Sequence, residues 1–288
     1  MSETARHFHL CLIAPPNTIA SACLAELVES FGHTLQDLGH RTTAGINQIE
    51  SQATNIVFGA HQLPRGFDQL PAHSILYNTE QIFPGSAVLN GALEELVARH
   101  ETWDYSRRNL QAWAARGLTA VRHLPIAYVA QLTRIAPAPT QDIDVLFYGQ
   151  VNSRRLKILD ALKARGLNLV VAGGVYGGER DALIARSKVV LNLHYYDTHI
   201  FETARVSYLL ANRKAVVAEV QADTEIDPRY AAAVEARAYE DLVQGCLDLL
   251  ADPVARRKRE DNGLAIMQSM PLSGFLAPLI ADSRARSN

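Results

Sequence analysis

The sequence predicts an α/β chain made of two facing Rossmann-like units, each a parallel sheet flanked by helices. Three observations carry that expectation. Short apolar runs alternate with longer amphipathic stretches along the whole chain, as strands and crossover helices do in wound sheets. The apolar runs stop where polar and Gly-bearing residues begin, most plainly in DVLFYGQVNSRR (144–155), LVVAGGVYGGERD (169–181) and VVLNLHYYDTHIFETARVSYLLANRKAVVAE (189–219). A Pro-rich stretch from Ile135 to Thr140, with Pro137 and Pro139, then divides the alternation into two halves. The expected domains are therefore 1–136 and 141–288.

In the first half, Phe8 to Ala14 reads as a strand, and Pro15, Pro16 and Asn17 as the turn after it. A helix is expected from about Ile19 to Leu38, because Leu24, Leu27, Val28, Phe31, Leu35 and Leu38 are spaced for one buried face, and Gly39 stands where helices end. Thr42–Ile46, Asn55–Phe58 and Ser74–Tyr77 are the next strands. A helix over Ala87–His100, a short strand over Thr102–Tyr105, a helix over Ser106–Arg116 closed by Gly117, and a strand over Val121–Ile126 complete the half.

The second half repeats the scheme. Val145–Tyr148, Leu167–Val171, Val189–Leu193 and Ala215–Ala218 read as strands, and Arg154–Arg165, Glu179–Arg186 and Glu202–Leu210 as the intervening helices. Tyr239–Leu250 and Pro253–Met270 are expected to be terminal helices, the second with Asp252 as N-cap and Pro253 in the first turn.

Composition narrows the function. The chain has 288 residues, 48% hydrophobic and 20% charged, enough for two cores of about 140 residues each. A formal net charge of -2 gives no bulk attraction to nucleic acid or to an anionic membrane, and Arg256, Arg257, Lys258 and Arg259 read as a solvated helix face. The apolar run at Phe8–Ala14 is too short to span a bilayer and lacks the basic flank of a leader, so a cytoplasmic protein without a transmembrane segment is expected. Cys11, Cys23 and Cys246 have neither metal-site nor disulfide spacing.

In an open parallel sheet the ligand crevice lies at the carboxyl ends of the strands. A diphosphate there needs cations and exposed backbone amides, best supplied by a Gly loop entering a helix. Gly149 to Arg155 provides both: Gly149 for close approach, Asn152 as helix cap, and Arg154 or Arg155 to fork onto phosphate oxygens. His194, Tyr195 and Tyr196 emerge directly from a strand, and Glu202 and Arg205 share one helix face, where Glu202 would accept from sugar hydroxyls and Arg205 hold phosphate. The glycines around Val175 and Tyr176 do not fit GxGxxG, so no dinucleotide cofactor is expected; that loop either holds the donor base or sugar or turns the chain. Asn78, Glu80 and Gln81 follow a first-half strand. A carboxylate there would serve as general base, with Glu80 the first candidate, Asp104 the second and His61 the third. Asp142 and Asp144 spell DxD, but at the wrong end of a strand for the crevice, so no metal is expected.

These motifs resemble the GT-B glycosyltransferases. FYGQVNSRR (Phe147–Arg155) is similar to their diphosphate-binding strand and loop, RVSYLLANRKAVV (Arg205–Val217) to the helix and strand often written RVFEALAAGVPVV, and LQDLGHR (Leu35–Arg41) to the end of their first helix. The acidic-Pro step at Asp252–Pro253 fits their closing helices. YNTEQI (77–82), WDYSRRN (103–109) and LNLHYY (191–196) resemble small bacterial members of surface-polysaccharide clusters. The resemblance implies a metal-independent transferase that uses a nucleotide sugar as substrate and a glycan, lipid-linked or protein acceptor. It further implies donor contacts at Gly149, Asn152, Arg154, Arg155, Tyr176, His194, Arg205 and Tyr208, acceptor contacts at Asn78, Gln81 and His61, and catalytic carboxylates among Glu80, Asp104 and Glu202. The chain departs from the retaining members, whose paired glutamates fall here on Ile200 and Tyr208. The alternative is a non-catalytic nucleotide-sugar or glycan-binding partner, a degenerate transferase.

Overall fold

A computed structural model describes residues 5–15, 20–63, 70–89, 91–196 and 199–285. The turn residues Pro16 and Asn17 and the expected helix start at Ile19 lie outside the described residues. The chain divides into two compact units, Met1–Val129 with Pro271–Asn288, and Ala130–Met270.

The first unit holds a six-stranded parallel sheet in the order β2-β1-β3-β4-β5-β6. Its strands are β1 (His7–Leu12), β2 (Arg41–Ile46), β3 (Thr54–Phe58), β4 (Ile75–Asn78), β5 (Glu101–Asp104) and β6 (Arg122–His123). Helices α1 (Ala25–Asp37), α2 (Gly91–Arg99) and α3 (Arg107–Ala114) connect them. On α1 the apolar spacing does what it predicts: Leu27, Phe31 and Leu35 are buried, and Phe31 meets Phe58, Tyr77 and Trp103 with ring centroids 4.9–6.5 Å apart. Gly39, at φ +82°, closes the helix in the left-handed conformation that a side chain disfavours.

The second unit holds a five-stranded parallel sheet in the order β11-β10-β9-β7-β8. It comprises β7 (Ile143–Tyr148), β8 (Leu169–Ala172), β9 (Ser187–Asn192), β10 (Ala215–Glu219) and β11 (Glu235–Arg237), with α4 (Ser153–Ala164), α5 (Gly177–Arg186), α6 (Thr203–Ala211), α7 (Pro228–Ala233), α8 (Leu242–Ala251) and α9 (Pro253–Gln268). The β7, β9 and β10 side chains Val145, Phe147, Val189, Leu191, Ala215 and Val217 form a core with Leu159, Leu162, Leu242 and Cys246. As expected, Asp252 caps α9, accepting from the N–H groups of Val254 and Ala255.

Three expectations need correction. The second domain does not run to residue 288. The last helix, α10 (Leu272–Ala285), belongs to the first unit, where Arg6 donates to Ile280 O at 3.2 Å and to Ser283 Oγ at 3.1 Å and where Leu272 N bonds Tyr128 O. Nor is the Pro-rich stretch a detached linker. The N–H groups of Arg134 and Ile135 both bond Asn212 Oδ1, and Ala138 N bonds Ala185 O, so the second unit begins near residue 130. The strand expected over Val121–Ile126 shrinks to β6, because Pro125 has no N–H to offer a ladder.

Candidate functional site

In the second sheet the chain order reverses between β7 and β9, so the carboxyl ends of these neighbouring strands bound a topological switch point. The loops leaving them run into α4 and α6. Gly149 follows β7 with φ +133°, a conformation open to glycine, and a Cβ there would stand 2.7 Å from Arg205 Nη2. The missing side chain is thus the space in which the Arg205 guanidinium lies. Arg205 is half-buried, with Cζ 5.2 Å from the centroid of the Tyr148 ring and Nη1 donating to Asn192 Oδ1 at 3.0 Å.

Arg155 is used differently from the expectation. It is 2% exposed, and its guanidinium donates to Gln150 O at 2.7 Å, His194 O at 3.3 Å and Leu193 O, clipping the two switch-point loops together. Burial and the charge of Arg205 bring its pKa down to about 10. Arg154 forks onto the fully buried Glu219 carboxylate, with Nη1 to Oε2 at 2.7 Å, and its guanidinium lies 4.0 Å over the Tyr239 ring. Burial would raise the Glu219 carboxyl, but the Arg154 hydrogen bond, the charges of His194 and Arg154 and the His194 N–H hold it below its ordinary value. Both arginines, expected on phosphate, are therefore committed to the walls of the site. Asn152 caps α4 as expected, accepting from Arg155 N at 2.9 Å, and also donates to Tyr195 O at 3.2 Å.

Glu202 stands at the N-cap of α6. Its Oε2 accepts from Asn192 Nδ2 at 2.8 Å and lies 3.2 Å from His194 Nδ1, while His194 Nε2 lies 3.3 Å from Thr224 Oγ1. Glu202 and Arg205, which share one helix face, are joined through the Asn192 amide, which donates to one and accepts from the other. Burial opposes ionisation of Glu202, but His194, Arg205 and Asn192 hold its pKa below the ordinary value. His199, at φ +49°, stacks on His194 at 5.4 Å, with Nδ1 2.8 Å from Asp223 Oδ1.

Tyr208 lies elsewhere. It is 6% exposed, donates to Asp181 Oδ2 at 2.9 Å and accepts from Arg134 Nε at 3.1 Å, so its hydroxyl ties α6 to α5. Ile200 is buried and bridges Glu225. Tyr176 occupies the N-cap of α5, in the Gly-bearing loop that joins β8 to α5.

In the first unit, Asp104 is fully buried. Its oxygens accept from Asn78 Nδ2 at 2.7 Å, Trp113 Nε1 at 2.9 Å, Ser106 N at 2.9 Å and Asn109 Nδ2 at 2.9 Å. Burial pushes its pKa up to about 7 against those four donors. It holds the end of β5 to the loop after β4 rather than facing an acceptor. Asn78 and Asn109 both donate to Glu80 O, and Asn109 Oδ1 accepts from Ile82 N, so the segments 77–82 and 103–109 are one hydrogen-bonded structure. It presents Glu80, one-third exposed, with Oε1 3.9 Å from His61 Nε2. His61 follows β3, the strand beside β4, and burial lowers its pKa against the pull of Glu80. Gln81 contributes its carbonyl, which accepts from Ser86 Oγ at 3.2 Å.

Asp142 and Asp144 sit at the amino end of β7, where Arg186 and Lys188 pair with them at 2.5 and 2.7 Å. Among the described residues no cluster of three His, Cys, Asp or Glu side chains is placed to hold a metal, and no helix is long and apolar enough to cross a membrane. The sequence reading missed Asn192, Glu219, Asn109 and Trp113. The signal available was a polar residue interrupting or ending an apolar strand, as in LNLH and AVVAE.

Comparison with known proteins places the architecture. No family model matches the sequence. The chain is 28% identical over 238 residues, 79% of its length and 76% of the relative's, to the uncharacterized protein L140 of Acanthamoeba polyphaga mimivirus. Among solved structures it is similar to HepE of Anabaena in complex with UDP and glucose (TM-score 0.63, 10% identity, 98% of this chain and 100% of that one). It is also similar to trehalose 6-phosphate synthase of Burkholderia multivorans (TM-score 0.60, 13% identity, 99% of each). The chain has the GT-B glycosyltransferase fold, two parallel sheets flanked by helices.

Proposed function

We propose that this chain is a glycosyltransferase that binds a nucleotide sugar at the switch point of its second sheet and passes the sugar to a hydroxyl acceptor. The observation that carries the reading is the Arg205 guanidinium seated over Gly149, between the starts of α4 and α6, with Glu202 and His194 beside it. A diphosphate there meets a cation and the positive ends of two helices. As the bond from the anomeric carbon to the phosphate oxygen breaks, negative charge grows on the departing nucleoside diphosphate, and Arg205 stabilises it. Glu202, kept ionised by its neighbours, accepts from donor-sugar hydroxyls.

On the acceptor side, Glu80 is the proposed general base, with His61 beside it. The buried Asp104 is left out of the chemistry and assigned to holding the Glu80 loop. Metal independence is part of the proposal, supported by the pairing of the DxD carboxylates with Arg186 and Lys188; activity is expected to survive chelation of divalent ions. A place in bacterial surface-glycan synthesis, in the cytoplasm, with a glycan, lipid-linked or protein acceptor, is proposed on the motif resemblance alone.

One observation favours a second reading. The two positions where retaining members carry glutamates are used here for packing and for tying α6 to α5. That supports a nucleotide-sugar-binding partner without turnover. Donor hydrolysis or transfer by the wild type, lost in Glu202→Gln and Glu80→Gln with binding kept, establishes the enzyme. Binding of UDP-glucose or another nucleotide sugar with no turnover of any donor establishes the partner.

A further inference from the structure

The switch-point cluster holds a second histidine, His199, one step beyond His194. From Arg205 the contacts run through Asn192 to Glu202, from Glu202 to His194 Nδ1, and from the His194 ring, by stacking, to His199. His194 is 1% exposed and stands as a wall between its two neighbours. Those neighbours reach the surface: the Glu202 side chain is 15% exposed and that of His199 22%.

Two features set His199 apart from a packing residue. Its backbone lies at φ +49°, a left-handed conformation that a side chain disfavours. Bonds from another loop hold it there: Glu225 N donates to His199 O at 2.9 Å, Phe201 N to Glu225 O at 3.3 Å, and Ile200 bridges Glu225. Residues pinned in such conformations cluster at ligand sites. The ring is aimed as firmly as the backbone is held. Asp223 Oδ1 lies 2.8 Å from Nδ1, and an ionised carboxylate only accepts, so Nδ1 carries the hydrogen and Nε2 of the neutral ring keeps its lone pair. That nitrogen has no partner among the described residues.

We propose that His199 is a donor-sugar contact, its Nε2 accepting a hydroxyl hydrogen beside Glu202, and that the sugar is a neutral hexose with its hydroxyls free. This rests on the nucleotide-sugar reading of the switch point and adds the class of sugar taken there. Two acceptors flanking His194 suit a ring that carries several hydroxyl donors, and a site built to accept from them discriminates against rings that lack them. An acidic sugar does not fit. Its carboxylate would meet Glu202, which its neighbours hold ionised, and Asp223 beside His199. The cations at hand are already engaged: Arg155, 3.8 Å from Glu202 Oε1, on loop carbonyls, and Arg205 on the diphosphate.

Calorimetric titration of the full-length protein with UDP, UDP-glucose and UDP-glucuronic acid tests this, with GDP and GDP-mannose or ADP and ADP-glucose in their place if the uridine compounds do not bind. The wild type should prefer UDP-glucose to UDP-glucuronic acid. His199→Gly, which removes the ring and takes the left-handed backbone without strain, should weaken the neutral nucleotide sugar about two- to tenfold and leave the free nucleoside diphosphate unchanged. Asp223→Ala should act in the same direction; Asp223 is 69% exposed, so its loss leaves folding intact. Equal weakening of diphosphate and nucleotide sugar in His199→Gly, no weakening of either, or tighter binding of the acidic sugar by the wild type overturns the proposal. Any of these with diphosphate binding that still depends on Arg205 leaves the donor-site reading standing. Absence of binding by every nucleoside diphosphate and nucleotide sugar overturns both.

Discussion

Arginines 154, 155 and 205 look alike in the sequence and do three different things. Arg155 clips two loops through their carbonyls, Arg154 neutralises a buried glutamate, and Arg205 lies in the space that Gly149 leaves. Their substitutions should separate accordingly. Arg205→Ala is expected to weaken nucleoside diphosphate binding by about 1.5–3 kcal/mol, the cost of a hydrogen bond to a charged group, with little change in melting temperature. Arg154→Ala should instead destabilise the fold by about 3 kcal/mol, the low end for a broken buried pair because Arg154 is partly exposed. Denaturant unfolding beside calorimetry distinguishes the two. Asp104 gives a pH signature. Its folded pKa is raised from 3.8 to about 7, so between those values the folded chain holds a proton that the unfolded chain has released. Stability relative to Asp104→Asn should therefore decline as pH rises from about 4 to 7 and level off above; a difference independent of pH across that window refutes the assignment.

At the scale of elements, the β7–α4 loop carries the strictest demand. Gly149→Ala combines an unfavourable φ of +133° with a Cβ placed 2.7 Å from Arg205, so it should cost about 1–3 kcal/mol of stability and also abolish the Arg205 contribution to binding. Wild-type affinity in that variant would show that Arg205 does not work from this position. Asn152→Ala, losing the α4 cap and the hydrogen bond to Tyr195 O, should cost about 1–2 kcal/mol. Most of these elements were legible in the sequence, because apolar strands stop abruptly at Gly and polar residues and α1 shows an uninterrupted buried stripe. What was not legible was partnership. Nothing local in SRR (153–155) or ARV (204–206) tells which arginine faces a carbonyl, a carboxylate or an amide, since the partners at 193–194, 219 and 192 come from other strands and loops. The α7 helix and β11 were missed because each is short. The role of Asp104 was misread for a related reason: an aspartate at a strand end looks the same whether solvent or four donors surround it.

At the scale of the molecule, the division into units differs from the sequence reading because α10 returns to the first unit. Leu276 and Ile280 are buried there, and Arg6 is held by Ile280 and Ser283. Truncation after Met270 should accordingly lower the thermal stability of the first unit, seen as earlier proteolysis within 5–129, while a fragment of residues 130–270, which contains the whole switch-point cluster, should keep nucleotide binding. Failure of that fragment to bind while the full chain binds would show that the site needs more than the second unit. The most direct trial of the central claim is calorimetric titration of wild type and Arg205→Ala with UDP, UDP-glucose and the corresponding guanosine and adenosine compounds. The account predicts saturable binding of at least one nucleoside diphosphate or its sugar to the wild type, weakened roughly tenfold or more in Arg205→Ala. Equal affinity in both proteins, or no binding of any of these compounds to the wild type, would contradict it.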